Sequence, residues 1–354
     1  GTSPYMTTLK TMRAKSMSEF QRASQTWGAP SVNLIYSDVS GDICWQPAAY
    51  IPRRTGWRGL MPVNGSGAFE WDGYLTAADL PAIENPACGF VYSANEMNLP
   101  SDWDHDNHPV GYEWFEDGRA GRIADIIRRG LASSILGSCE LQTDTFSSFA
   151  RRFLNLFQDK TCSPAFKLFA GWDGCSEQNS AASLLFEVWL SSHLQPALMH
   201  RIAPNEDLRK LLVPGDISII LEILEGKRPS LAAHCGLSEE TKRQKFLQET
   251  LQDAWVDVRK RFGNNPSQWR WGDLHHGYFD HSLTPVKTGF DVGPFSKGGA
   301  NSSVMLAHYT KEDYRVRVGA SVRMVIDVGN WDNSVWINAP GQSGVPGNVH
   351  YDDL

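Results

Sequence analysis

Several residues in this 354-residue chain have side chains and spacings that suit chemistry. Asn95 follows the short apolar run Phe90-Val91-Tyr92-Ser93, whose composition predicts a strand, so that Ala94-Asn95 sets a neutral amide where the strand stops. An Asn side chain offers two N–H donors and has no proton to lose. That suits the stabilisation of an oxyanion in acyl transfer, although Asn is also a common turn residue. Asp102, Asp104 and Asp106, with Asn107 and Glu113, approximate the spacing of a calcium loop, with Asn107 at the turn-glycine position and Pro109 removing an N–H. A solvated acidic loop has the same composition. Trp71 and Tyr74 are aromatic faces fit for stacking on a sugar or an aryl acyl group, or for filling a core. Asp273, His275, His276, Asp280 and His281 crowd together but match no zinc-ligand spacing.

The elements that must position these groups fall into three stretches. Residues 1–118 read as sheet-forming. A helix is expected over residues 9–27, with apolar Leu9, Met12, Phe20 and Trp27. Ala29 to Asp38 and Gly41 to Trp45 form a hairpin about a Ser-Gly-Asp turn. Residues 51–80 read as loop-rich. From 119 to 262 the apolar period changes to 3.6, with stripes at Ile123, Ile126, Ile127 and Leu131; at Phe146, Phe149, Phe153, Leu156 and Phe157; and at Leu184, Leu185, Val188, Trp189 and Leu194. Residues 217–224 and 247–258 add two more. From 263 to 354 the pattern returns to sheet, with strands over Ala320–Asp327 and Asn333–Trp336 and a loop at 294–299. The fold class is therefore α+β, with the three stretches interlocked as one unit.

Composition narrows the function. Net charge is −7 with no basic run, which excludes a nucleic-acid footprint. No apolar run approaches the ~18 residues of a membrane span. The six cysteines include no C-x-x-C pair. Their even count permits disulfides, Cys162 with Cys175 closing one short loop, and buried free thiols fit equally.

The motifs resemble the penicillin acylase family of N-terminal nucleophile amidohydrolases. The Ala94-Asn95 step resembles the family's strand-end oxyanion Asn. Gly118-Arg119-Ala120-Gly121-Arg122-Ile123 resembles its Arg-x-x-Arg-Ile helix start, whose first Arg lies near the active site. Ser18-Glu19-Phe20 resembles a family helix that ends in Glu-Phe. Glu70-Trp71-Asp72-Gly73-Tyr74, Leu141-Gln142-Thr143-Asp144, Trp172-Asp173-Gly174, Trp269-Arg270-Trp271-Gly272-Asp273-Leu274-His275 and the string Gly341 to Asp353 follow in family order.

The resemblance implies an αββα sheet sandwich with a large helical insertion. It implies hydrolysis of N-acyl amides, such as β-lactam side chains, N-acyl-homoserine lactones or acyl lipopeptides, without an organic cofactor. It also implies Asn95 and Arg119 as catalytic residues, Val32 and Trp71 on the acyl side of the substrate, and a periplasmic or secreted location. Some penicillin acylases bind calcium near this part of the chain. Here, however, the family carboxylate falls near Tyr112, which cannot replace it. The family nucleophile is a Ser, Thr or Cys that opens the β-chain. Gly1 lies almost against the Glu19 helix, so the nucleophile is expected on a complementary chain or segment rather than at Thr2 or Ser3, and this chain alone is expected to be inactive. A catalytically silent binding protein with the acylase fold, or a carbohydrate-binding module suggested by 13 Trp residues, would share much of the pattern.

Overall fold

The computed structural model describes residues 4–160, 163–212 and 214–353. The chain divides into two compact units, Gly1–Ala120 with Ile326–Ser334, and Gly121–Val325 with Val335–Leu354.

In the first unit the single helix expected over 9–27 is two, α1 (Pro4–Thr11) and α2 (Met17–Ser24). The break comes from a helix cap at Ser16. The Ser16 hydroxyl accepts the Glu19 N–H at 3.3 Å, and the Glu19 carboxylate accepts the Lys15 N–H at 2.9 Å. The first bond caps the new helix start, and the second ties the Glu19 side chain to the residue before the cap. Glu19-Phe20 therefore begins a helix rather than ending one.

The hairpin is as the sequence indicates. Strand β1 (Val32–Ser37) pairs antiparallel with β2 (Ile43–Ala48), from Val32 opposite Ala48 to Ser37 opposite Ile43. The Asp38 carboxylate accepts the Ser40 N–H at 2.8 Å, and Gly41 takes φ +91°, the left-handed conformation the turn needs. Cys44, Trp45 and Ala48 of β2 are buried. Residues 51–80, expected as loop-rich, contain β3 (Ile51–Arg54) and β4 (Trp71–Leu75), which pair with a register shift between Pro52 and Arg54. The strands are short and carry Pro52 and Gly73, which mask a strand signal. A two-residue strand, β5 (Ile83–Glu84), adds to the other edge of β2.

Helix α3 (Gly118–Arg128) leads into the second unit. There follow α4 (Ile135–Gln142), α5 (Ser148–Asn155), α6 (Pro164–Lys167) and α7 (Ala181–Val188). After a π-helical turn at Trp189–Leu194 come α8 (Gln195–Ile202), α9 (Glu206–Leu212), α10 (Ile217–Leu224), α11 (Pro229–His234) and α12 (Glu240–Phe262). Ser134, Ser147, Ser163 and Ser180 cap α4 to α7, each hydroxyl accepting a first-turn N–H. The π turn precedes Pro196, which has no N–H to give the preceding turn and whose ring crowds it.

The later apolar stripes meet in one core that includes Phe149, Phe153, Phe157, Leu184, Leu185, Trp189, Leu247 and Val258, while Ile123, Ile126 and Ile127 of the first stripe are not part of it. Leu131 departs from its expected stripe. It lies beyond the end of α3, after Gly130 at φ +73°, and is 50 % exposed.

The remaining strands form antiparallel pairs: β6 (His276–Phe279) with β7 (Val292–Ser296), β8 (Ala307–Tyr309) with β9 (Val316–Gly319), and β10 (Val322–Val325) with β11 (Val335–Asn338). Part of the loop expected at 294–299 is thus strand. The last strand starts two residues later than expected, because Trp331–Asn333 is a 3-10 turn. Among the described residues the sheets have three strands at most.

Candidate active site

The segment that carries Asn95 is pinned at its start. The Asn85 amide accepts the Ile43 N–H at 2.9 Å and donates to Asp42 at 2.9 Å, and Gly89 at φ +76° closes a turn back to Pro86. Phe90–Ser93 is not a strand in the structure, so the expected strand is absent among the described residues. Asn95 accordingly lies not at a strand end but in a turn, at φ +69°. Asn tolerates that left-handed conformation better than most residues.

Three bonds hold this turn. The Ala94 N–H donates to the Glu96 carboxylate at 2.6 Å, the Phe115 N–H donates to the Asn95 carbonyl at 3.1 Å, and Arg119 Nη2 donates to Asn95 Oδ1 at 2.9 Å. The last bond sets the orientation of the Asn95 amide. A guanidinium only donates, so the amide must turn its oxygen towards Arg119, and Nδ2 with its two N–H groups faces away. Arg119 is set by the first turn of α3, where the Glu116 carboxylate accepts the Gly118 N–H. Arg119 Nε is buried and has no acceptor among the described residues. Such an orphan donor is costly unless something outside the described residues meets it.

The strand that carries Val32 is tied to the same loop. Asn98 donates to Ser93 Oγ at 3.2 Å and to Asn33 Oδ1 at 3.5 Å, and the Trp45 indole donates to Asn33 Oδ1 at 3.0 Å. Val32 itself is half-buried, opposite Ala48.

Trp71 stands apart from this group. It is 54 % exposed, so it fills no core in this unit. It meets Tyr74 edge-on at 6.0 Å, and Tyr74 meets Tyr50 at 6.0 Å, an open aromatic ladder with no hydrogen bond or ring contact to Asn95 among the described residues.

Asp102, Asp104 and Asp106 do not gather as a calcium loop would require. Asp104 takes the Asn107 backbone and side-chain N–H groups, at 3.2 and 2.7 Å, and Asp106 faces Arg58 at 4.0 Å. Among the described residues no three His, Cys, Asp or Glu side chains form a metal-holding group. The donor set as placed does not fit calcium.

The histidine-rich stretch is structural. His275 is fully buried and stacks on Trp271 at 4.5 Å, with Nδ1 2.7 Å from the Lys297 carbonyl and Nε2 3.2 Å from the Ala307 carbonyl. Burial lowers its pKa to about 4. Asp280 pairs with Arg315 instead. Cys44, Cys88, Cys139, Cys175 and Cys235 are free thiols; Cys162, Thr2 and Ser3 lie outside the described residues.

The sequence signals missed Glu96 and a second buried carboxylate, Glu187. Glu187 interrupts the apolar run Leu184-Leu185-Phe186-Glu187-Val188-Trp189, and that interruption was the available signal. It accepts hydrogen bonds from Tyr309 at 2.6 Å and Ser176 at 3.2 Å, and burial raises its pKa to about 7.

A model of the penicillin amidase family matches residues 1–354, the whole chain. The chain belongs to that family. Among its relatives, an acyl-homoserine lactone acylase QuiP from Pseudomonas fluorescens (strain Pf0-1) is 22 % identical over 366 residues, 96 % of this chain and 44 % of the relative. A penicillin acylase 2 proenzyme from Pseudomonas sp. (strain SE83) is 26 % identical over 365 residues, again 96 % of this chain and 44 % of the relative. The chain therefore spans under half the length of the curated relatives it matches. Its fold is similar to that of a solved thermostable penicillin G acylase from Alcaligenes faecalis, with TM-score 0.55 and 19 % identity over 75 % of this chain and 53 % of that one. The mixed helix and strand content agrees with the α+β class. Among the described residues no helix is long and apolar enough to cross a membrane.

Proposed function

We propose that this chain is the oxyanion-binding part of an amidase that hydrolyses N-acyl amides, and that a complementary chain or segment supplies the nucleophile. The hydrogen bond from Arg119 to Asn95 carries the reading. It fixes the amide so that Nδ2 points outward as a neutral donor, ready for the charge that develops on a carbonyl oxygen under attack. Preorganisation is the source of the benefit, since a donor already aimed has no reorganisation left to undergo in the transition state. Attack by a Ser, Thr or Cys on the amide carbon would give a tetrahedral oxyanion; its collapse expels the amine and leaves an acyl-enzyme for water to hydrolyse. Val32, tied to the Asn95 loop through Asn33 and Asn98, bounds the acyl group, and Trp71 adds an aromatic face on the substrate side. The chemistry needs no organic cofactor.

The names of the relatives support N-acyl-homoserine lactones or penicillins as the substrate class. The small sheets are read as parts of an αββα sandwich completed by the complementary polypeptide, and the assembled enzyme as periplasmic or secreted. The test is to express residues 1–354 alone and together with the upstream segment encoded beside it, and to assay both on N-acyl amides. Amide cleavage only by the pair is expected. Cleavage by the chain alone would place the nucleophile within it, and no cleavage by the pair would favour a catalytically silent binding protein.

A further inference from the structure

Asn95 could not hold a left-handed backbone and an aimed side chain by its own preference. That conformation is disfavoured for an L-residue, less for Asn than for most. The neighbouring Glu96 is the group that closes the turn. Its side chain folds back over Asn95 and accepts the Ala94 N–H at 2.6 Å, while Glu96 itself is only 8 % exposed. Withdrawing a carboxylate from water to join it to one adjacent backbone N–H is a poor way to gain stability, because desolvation offsets most of the bond. The clamp sits inside a second one, the bond from Asn98 to Ser93, so two nested bonds enclose Asn95. The Phe115 N–H and Arg119 then take the two oxygens of Asn95.

We infer that Glu96 is a positioning residue for the reaction, acting through Asn95 by fixing the Ala94-Asn95-Glu96 turn so that Nδ2 stays aimed at the developing oxyanion. The inference rests on the oxyanion role proposed for Asn95. What the clamp needs from Glu96 is an acceptor oxygen two residues on, and a Gln at this position would keep it. An Ala would not. The turn would then relax, and a small displacement of a catalytic donor is enough to cost rate, up to about 10²-fold for 1 Å.

The experiment is a double-mutant cycle in the assembled enzyme, with kcat and KM measured on an N-acyl amide for Glu96→Ala, Glu96→Gln, Asn95→Ala and Asn95→Ala/Glu96→Ala, and thermal midpoints recorded for each. Glu96→Ala is expected to lower kcat roughly tenfold with KM within about twofold, and Glu96→Gln to stay within about threefold of wild type. In the Asn95→Ala background, Glu96→Ala is expected to cost almost nothing more. An equal loss in both backgrounds would overturn the inference, because Glu96 would then act on the fold at large. A harmless Glu96→Ala beside a crippling Asn95→Ala would overturn it too, and would leave the proposed function standing. A harmless Asn95→Ala would remove the oxyanion role itself, and the positioning role with it. Should Glu96→Ala fail to fold, Glu96→Gln and Glu96→Ser decide. Ser is too short to reach the Ala94 N–H in the same way, so kcat falling for Ser and held for Gln supports the clamp, and equal kcat in both overturns it.

Discussion

Arg119 and Asn95 stand 24 positions apart in the chain and are joined by one hydrogen bond, Nη2 to Oδ1 at 2.9 Å. The bond decides which end of the Asn95 amide faces outward. Arg119→Met would remove it and leave the amide free to rotate, so that oxygen as well as nitrogen would face the substrate. We expect kcat on N-acyl amides to fall by about 10- to 100-fold with KM little changed, since the donor acts in the transition state. Steady-state kinetics on the assembled enzyme check this, and an unchanged kcat would separate Arg119 from catalysis.

Val32 opens β1 opposite Ala48, beside the Asn33 that receives both Trp45 and Asn98. Val32→Ala enlarges the space by two methyl groups without touching these bonds. Acyl preference should move towards bulkier chains by at most ~1–3 kcal/mol in kcat/KM ratios, the range that a few methyl groups command in an apolar pocket. A chain-length series of N-acyl substrates reads the shift, and an unmoved optimum would take Val32 out of the pocket.

The hairpin at 32–48 and the helical stretch were legible because their signals are local: alternation about a Gly turn in one, 3.6-residue apolar stripes with Ser caps in the other. The Asn95 segment carries a strand signal that the structure does not follow. Phe90 to Ser93 has strand composition, but the turn at Asn95 that follows is set by Glu96, Phe115 and Arg119, two of them about 20 or more residues on. Trp71 shows the converse. Its aromatic type suits a core as well as a binding face, and only the open β3–β4 ribbon puts it in solvent. The acidic run at 102–106 was a pattern of spacing alone; Asn107 and Arg58 engage two of its carboxylates.

Glu187 gives a pH dependence with a definite sign. Its pKa rises from the ordinary 4.5 to about 7 because burial disfavours the carboxylate. The unfolded chain releases this proton near pH 4.5 and the folded chain only near 7, so the stability associated with the protonated form is complete below about 4.5 and is lost as pH rises through 7. His275, whose pKa is lowered by burial to about 4, acts in the opposite direction over part of that range. The comparison with Glu187→Gln isolates the carboxyl. Relative to the variant, wild type should lose roughly 3 kcal/mol between pH 4.5 and 7, at about 1.36 kcal/mol per pKa unit. Denaturant unfolding at a series of pH values tests it, and parallel stability curves would show that Glu187 does not change its proton between the states.

The oxyanion role of Asn95 is tested most directly by kcat for Asn95→Ala in the assembled enzyme, measured on a single N-acyl amide with folding checked by circular dichroism. Loss of one oxyanion donor costs about 10²–10³ in kcat, and that fall, with KM near the wild-type value, is the expected result. A correctly folded Asn95→Ala enzyme that turns over at the wild-type rate would contradict it.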